Sequence, residues 1–152
     1  MSRRAYKRGK YTPVNTEKYV GKHIPTYRSS WELRVCNFFD MTSVVLEWAS
    51  EPVAIQYTYR SVNGQPVWGL YIPDYYVKMK TQTGIKSFLV EVKPHKQCIP
   101  PVPPKTNRAS SLEKYRSAQV LYVKNQSKWE YAKRFCVRHG MEFKVITEKD
   151  IY

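Results

Sequence analysis

The run FLVEVKP, residues 88–94, constrains this chain more than any other stretch. Its apolar composition reads as a buried strand closed by a proline, yet it carries a glutamate and a lysine two positions apart. Successive strand side chains point to opposite faces, so Glu91 and Lys93 share a face with Leu89, while Phe88, Val90 and Val92 take the other. Upstream, Tyr71 to Met79 reads as a second strand, joined to Ile85 to Lys93 through TQTG as a hairpin. A turn centred between Gln82 and Thr83 sets Asp74 across from Glu91. A turn centred on Thr83–Gly84 sets it across from Lys93 instead, with Glu91 diagonal. In both registers Asp74, Glu91 and Lys93 meet on one face within about 5–8 Å, whereas a slip of one residue sends Asp74 to the other side.

Two carboxylates facing each other at the end of apolar strands repel and lose solvation, which is costly without a positive partner. Mg²⁺ suits such a pair because it takes one or two carboxylates and fills its shell with water and phosphate oxygens. Lys93 adds a cation able to hold a nucleophilic water or to offset charge developing on a phosphate. The chemistry these residues suggest is metal-dependent attack of water on a phosphodiester. The competing interpretation makes Glu91 and Lys93 ordinary edge charges and Asp74 a turn residue. Against it, Leu89 makes the same face apolar before it becomes charged, and Pro73 marks a bulge or edge of the kind that re-aims side chains near sites.

The rest of the chain points the same way. Lys and Arg number 26 against 12 Asp and Glu, a net charge of +14 spread along 152 residues. That excess favours a polyanion, nucleic acid first, because neutralising phosphates releases counterions. Cys36, Cys98 and Cys136 form no CxxC pair, a reduced, intracellular pattern, and His95 with Cys98 lacks the second pair that structural zinc needs. No apolar run reaches membrane-spanning length and no signal-type core follows the N-terminus, so the expectation is a non-secreted protein without a membrane anchor.

The length suits one domain. Residues 1–26 read as a basic arm, with Arg3, Arg4, Lys7, Arg8 and Lys10 available to DNA phosphates, and residues 27–152 as the folded domain. Trp31, Val35, Phe38 and Phe39 share a helical face, and Ser29 with Glu32 forms a capping box, giving a helix that ends near Asp40. Two strands follow around Ser50 to Pro52, and Asn63-Gly64 marks a hairpin turn. Residues 94–107 are a proline-rich loop, with five prolines from Pro94 to Pro104, suited to a lid, a spacer or a docking strip. SSLEKYRSAQVLYVK follows as a helix in which Val120 to Val123 also fits a short strand. Ser127 with Glu130 repeats the capping box and opens a second helix to His139, capped by Gly140 and followed by the strand MEFKVIT.

IPD followed by EVK, with sixteen residues between Asp74 and Glu91, resembles the signature of the PD-(D/E)xK nuclease superfamily. The element order resembles its α-β-β-β-α-β core, implying an α/β, restriction-endonuclease-like fold with a mixed central sheet flanked by helices. YRSSWELRVCNFFD, WASEP, YIPDYYV, FLVEVKP and WEYAKRFCVRHGMEFKVIT look most like the transposon-end endonuclease branch and, closer still, the head-completion nucleases of tailed phages, from about Tyr27 onward. The resemblance implies endo- and exonuclease activity on double-stranded DNA with Mg²⁺, Mn²⁺ being a substitute. It also implies phage head or neck proteins as partners, and a location in host cytoplasm or virion.

Carried over by position, the resemblance makes Asp74 and Glu91 metal ligands, with the Val92 carbonyl beside them. Lys93 becomes the catalytic lysine, and Glu32 on the first helix the remaining acid, a role that competes with its place in the capping box. Glu47 and Glu51 are substitutes for Glu32. Arg28, Ser30, His95 and Lys96 are candidate phosphate contacts, and Lys114 and Gln119 candidate polar contributors from the following helix. Nothing resembles a base-reading element, so little sequence specificity is expected. The alternatives are a non-catalytic DNA-binding head plug and a four-way-junction resolvase, the latter expected to be dimeric and branch-selective.

Overall fold

A computed structural model describes residues 8–151. In chain order its elements are β1 (Gly9–Lys10), β2 (Thr26–Tyr27), α1 (Ser30–Met41), β3 (Val45–Ser50), β4 (Ile55–Arg60), β5 (Pro66–Tyr71), β6 (Tyr75–Thr81), β7 (Gly84–Val92), α2 (Ala109–Arg138), β8 (Glu142–Ile146) and α3 (Glu148–Ile151), with 3₁₀ turns at Thr16–Lys18 and His95–Gln97. The central sheet runs β3-β6-β7-β8, antiparallel except for the β7–β8 pair. Parallel strands cannot be joined by a tight turn, and α2 is the crossover between them. The expected α-β-β-β-α-β order is therefore present as α1-β3-β6-β7-α2-β8, with the β4–β5 hairpin inserted after the first strand.

Strand alternation sorts the core into two layers. Val77, Phe88 and Val90 face α1, where Trp48 sits at the centre of an aromatic cluster with Tyr11, Tyr19, Phe39 and Tyr75. Leu89 faces the other way, packing with Ile55, Tyr57, Tyr71, Trp129, Ala132 and Cys136 beneath α2. Glu91 therefore lies on the α2 side of the sheet.

Three expectations need correction. The strand drawn from Tyr71 to Met79 is two strands of different hairpins: Tyr71 ends β5, paired with β4, and β6 begins at Tyr75. The buried Pro73 has no N–H to continue a ladder, so the chain breaks there. Second, α2 is one continuous helix through Val120–Val123 and through Ser127, which is an interior residue and no cap. Asn125, Trp129, Ala132 and Cys136, its buried residues, keep one helical phase across that point, and neither Gly nor Pro interrupts it.

Third, the stretch given to a basic arm is structured from residue 9 onward. Gly9 and Lys10 pair with Tyr27 and Thr26, and Tyr11 enters the core. The fully buried Asp40 accepts hydrogen bonds from the Tyr11 hydroxyl (2.6 Å), the Val14 N–H (2.7 Å) and the Asn15 N–H (2.9 Å). The Lys18 ammonium caps the end of α1 at the Asp40 and Thr42 carbonyls. Arg8 and Lys10 remain exposed; Arg3, Arg4 and Lys7 lie outside the described residues.

Candidate active site

The site forms where β6 begins and β7 ends. Tyr75 pairs with Val90, which is the register set by a turn between Gln82 and Thr83, so Asp74 stands across from Glu91. The same register sets Val92 against Pro73. Lacking an N–H, Pro73 cannot donate to the Val92 carbonyl, and the Val92 N–H turns instead to Asp74 Oδ2 at 2.8 Å. The proline thus frees a backbone carbonyl beside two carboxylates. The Glu51 N–H, from a backbone at φ +48°, donates to the Asp74 carbonyl at 2.8 Å and ties the end of β3 to the site.

Glu91 is buried, with 7% of its surface exposed. Its Oε2 accepts the Tyr71 hydroxyl at 2.6 Å, and its Oε1 lies 3.7 Å from Lys93 Nζ. Burial pushes the Glu91 carboxyl upward, opposed by Tyr71, Lys93 and Lys128. Asp74 is held well above the usual carboxylate range, first by desolvation and then by the Glu91 charge, with Glu32 adding to it; the Val92 N–H and Lys93 act against. Glu32 is raised by burial too, and Glu91 is the charge that raises it further. These three acids share one electrostatic field.

Glu32 also caps α1. Its N–H donates to Ser29 Oγ at 3.1 Å, and its Oε2 receives the Ser29 hydroxyl (3.2 Å) and the Arg28 N–H (3.3 Å). The Tyr75 hydroxyl, next to Asp74 in the chain, reaches the Glu32 carbonyl at 3.4 Å and fixes the first turn of α1 against the site. Among the described residues no three His, Cys, Asp or Glu side chains converge as a closed metal cage. The donors present, Asp74, Glu91 and the Val92 carbonyl, fit an ion that leaves most of its shell to water and phosphate. Their under-neutralised charge supplies the reason for one.

Other sequence candidates fall elsewhere. Glu47 accepts the Tyr76 hydroxyl at 2.8 Å, and Glu51 pairs with the exposed Arg28 at 3.4 Å. The His95 N–H donates to Glu148 Oε2 at 2.9 Å, while Ser30 and Lys96 are exposed. Gln119 and Lys114 are exposed on the part of α2 that precedes its buried residues. From that helix it is Lys128 that reaches the site, its ammonium over the rings of Tyr57 (5.7 Å) and Tyr71 (5.8 Å) and within the field of Glu91. Sequence reading missed both Tyr71 and Lys128. Tyr71, three residues before Asp74, carried a weak signal; Lys128 carried none.

Known proteins supply an independent comparison. The sequence pattern described as TnsA-like endonuclease N terminal matches residues 42–148, a span containing Asp74, Glu91 and Lys93 and beginning after Glu32. The head completion nuclease of Enterobacteria phage T4 is 31% identical over 142 residues, covering 92% of this chain and 90% of that protein. Endonuclease domains of this type use divalent metal ions and act on DNA. With one pattern spanning most of the chain and a relative aligned along nearly all of it, the chain belongs to the TnsA-like endonuclease family and is a nuclease.

Proposed function

We propose that this nuclease is Mg²⁺-dependent, with Mn²⁺ as a substitute, and cuts double-stranded DNA both internally and from ends with little sequence preference. The observation that carries this reading is the pair of under-neutralised carboxylates, Asp74 and Glu91, held beside Lys93 at the open end of β6 and β7. Asp74, Glu91 and the Val92 carbonyl hold the ion, and Glu32 completes the acidic set. Bound Mg²⁺ supplies Lewis-acid polarisation of the scissile phosphate and lowers the pKa of water. Lys93, steadied by Glu91, orients the attacking water and offsets charge gathering on the phosphate. Tyr71 fixes the Glu91 carboxylate from the hairpin side. Arg3, Arg4, Lys7, Arg8, Lys10, Arg28, His95 and Lys96 add phosphate contacts that carry no base information.

The likeness to a head completion nuclease supports action on packaged DNA when a phage head is finished and joined to its tail. Head or neck proteins would then be partners, in host cytoplasm or in the virion. Among the described residues no helix is long and apolar enough to cross a membrane. The test is cleavage of supercoiled plasmid by the purified protein with Mg²⁺, with Mn²⁺ and with chelator, beside Asp74→Ala and Lys93→Ala. Each variant should lose activity by at least about 100-fold while keeping DNA binding. Undiminished cleavage by either variant, or cleavage in chelator, would overturn the assignment.

A further inference from the structure

The 30 residues of α2 make a rod about 45 Å long, and all its buried residues fall from Asn125 onward. The preceding half lines a groove with the proline-rich segment, Tyr115, Ala118 and Tyr122 on one side and Ile99, Pro100 and Pro101 on the other. Going back along the helix from Lys128, Lys124, Leu121, Ser117, Lys114 and Ser110 recur at alternating steps of four and three, which places them in one row.

We propose that this row is the track on which the duplex backbone lies as it enters the site, with Lys128, Lys124 and Lys114 holding phosphates and Ser117 and Ser110 donating to them. The inference rests on the DNA-nuclease reading and assigns its binding surface. Three observations support a path for the phosphate backbone along this row. The row begins at the acids themselves, since the Lys128 ammonium lies over Tyr71, whose hydroxyl binds Glu91. Among the described residues, none of Lys96, Lys114, Lys124 or Lys128 has a carboxylate within 4 Å, although Lys86, Lys93 and Arg28 do. Lys96, just past the EVK motif, and Lys114 line the same groove between α2 and the proline segment, so cations from two elements border one path. Burial, then the nearby ammoniums of Lys124 and Lys93, press the Lys128 pKa down, with the Glu91 charge acting against them, so three cations share this end of the row. From Lys114 to Lys128 the row covers about 21 Å, or roughly six base pairs of duplex.

Lys114 and Lys124 are exposed or half-buried on α2, away from its buried residues, so a Lys114→Ala/Lys124→Ala protein should fold, with a melting temperature like that of the wild type. The measurement is binding to a fluorescent duplex across a range of KCl concentrations in chelator, beside plasmid cleavage with Mg²⁺. The slope of log K against log salt should become shallower by about 2, with affinity at low salt down by about tenfold, and Lys114→Arg/Lys124→Arg should restore both. An unchanged slope in a protein that still cleaves plasmid overturns the track and leaves the nuclease reading intact. A shallower slope in the variant, with a wild-type protein that cleaves nothing, upholds the track and removes the nuclease reading. Loss of binding to an acidic head protein with the DNA slope unmoved would assign the row to a protein partner and overturn the proposal.

Discussion

Tyr71 and Glu91 are joined by a 2.6 Å hydrogen bond to a buried carboxylate, and the hydroxyl is the donor that keeps Glu91 available as an anion. Tyr71→Phe removes that donor without changing the ring, so the carboxyl shifts further toward its neutral form and binds a cation less well. The half-saturating Mg²⁺ concentration for cleavage should rise by about tenfold, the usual cost of losing a ligand's own partner. An unchanged Mg²⁺ titration would mean that Glu91 is not a ligand. A second consequence follows from the raised carboxyls. Because Asp74 and Glu91 bind protons more tightly when folded, their stabilising contribution is fully present below the ordinary carboxylate range and is lost as pH rises through their folded values. In chelator, Asp74→Asn should therefore melt above wild type at neutral pH, with the gap closing toward pH about 4. A thermal melt in which the variant is less stable at every pH would show Asp74 to be a structural acid. The D…ExK set was legible in the sequence because strand alternation and hairpin register are local rules. Tyr71 and Lys128 were not, because each reaches Glu91 through the docking of another element, a hairpin and a helix, which no spacing encodes.

Ser29-x-x-Glu32 and Ser127-x-x-Glu130 are the same capping pattern, and only the first is a cap. What separates them is context. Ser29 is extended ahead of α1, after a bend at Arg28, whereas the residues before Ser127 are already helical and in phase with Trp129 and Ala132. The pattern records a capacity for capping, and the apolar phase on both sides decides whether it is used. Opposite effects on stability are expected. Ser29→Ala should destabilise by about 1 kcal/mol, because the Glu32 N–H loses its acceptor. Ser127→Ala should be neutral or stabilising by about 0.5 kcal/mol, since alanine suits a helix interior better. Urea denaturation of the two variants checks this, and equal losses would restore a helix break at Ser127. The break between β5 and β6 was hidden for a related reason. GLYIPDYYVKM is mostly apolar and aromatic, so it reads as one strand with a bulge or edge at Pro73, whereas Pro73 divides two hairpins.

At the scale of the whole molecule, charge and packing overlap in the first 26 residues. Composition marks this stretch as a cationic arm, yet from residue 9 it closes the open side of the α1 layer: Tyr11 and Tyr19 pack on Trp48, and backbone N–H groups converge on Asp40. Aromatic residues interleaved with lysines carry no helical or strand period, so burial at Tyr11 could not be read from the pattern; the partner that recruits it, Asp40, lies 29 residues away. Burial alone would raise the Asp40 carboxyl, but the Tyr11 hydroxyl and the Val14 and Asn15 N–H groups outweigh it and hold it below the usual value. Its contribution is thus present above the unfolded carboxylate pKa and is lost as pH falls through the folded one. Two truncations separate the arm's roles. Deleting residues 1–7 should weaken DNA binding and flatten its salt dependence while leaving the melting temperature unchanged. Deleting residues 1–26 should also expose Trp48 and strip Asp40 of its Tyr11, Val14 and Asn15 donors, a loss of about 3 kcal/mol or more. Asp40→Ala in the full chain should destabilise by a similar amount and open residues 8–24 to proteolysis. Equal melting temperatures for the two truncated proteins would return the whole segment to the status of a dispensable arm.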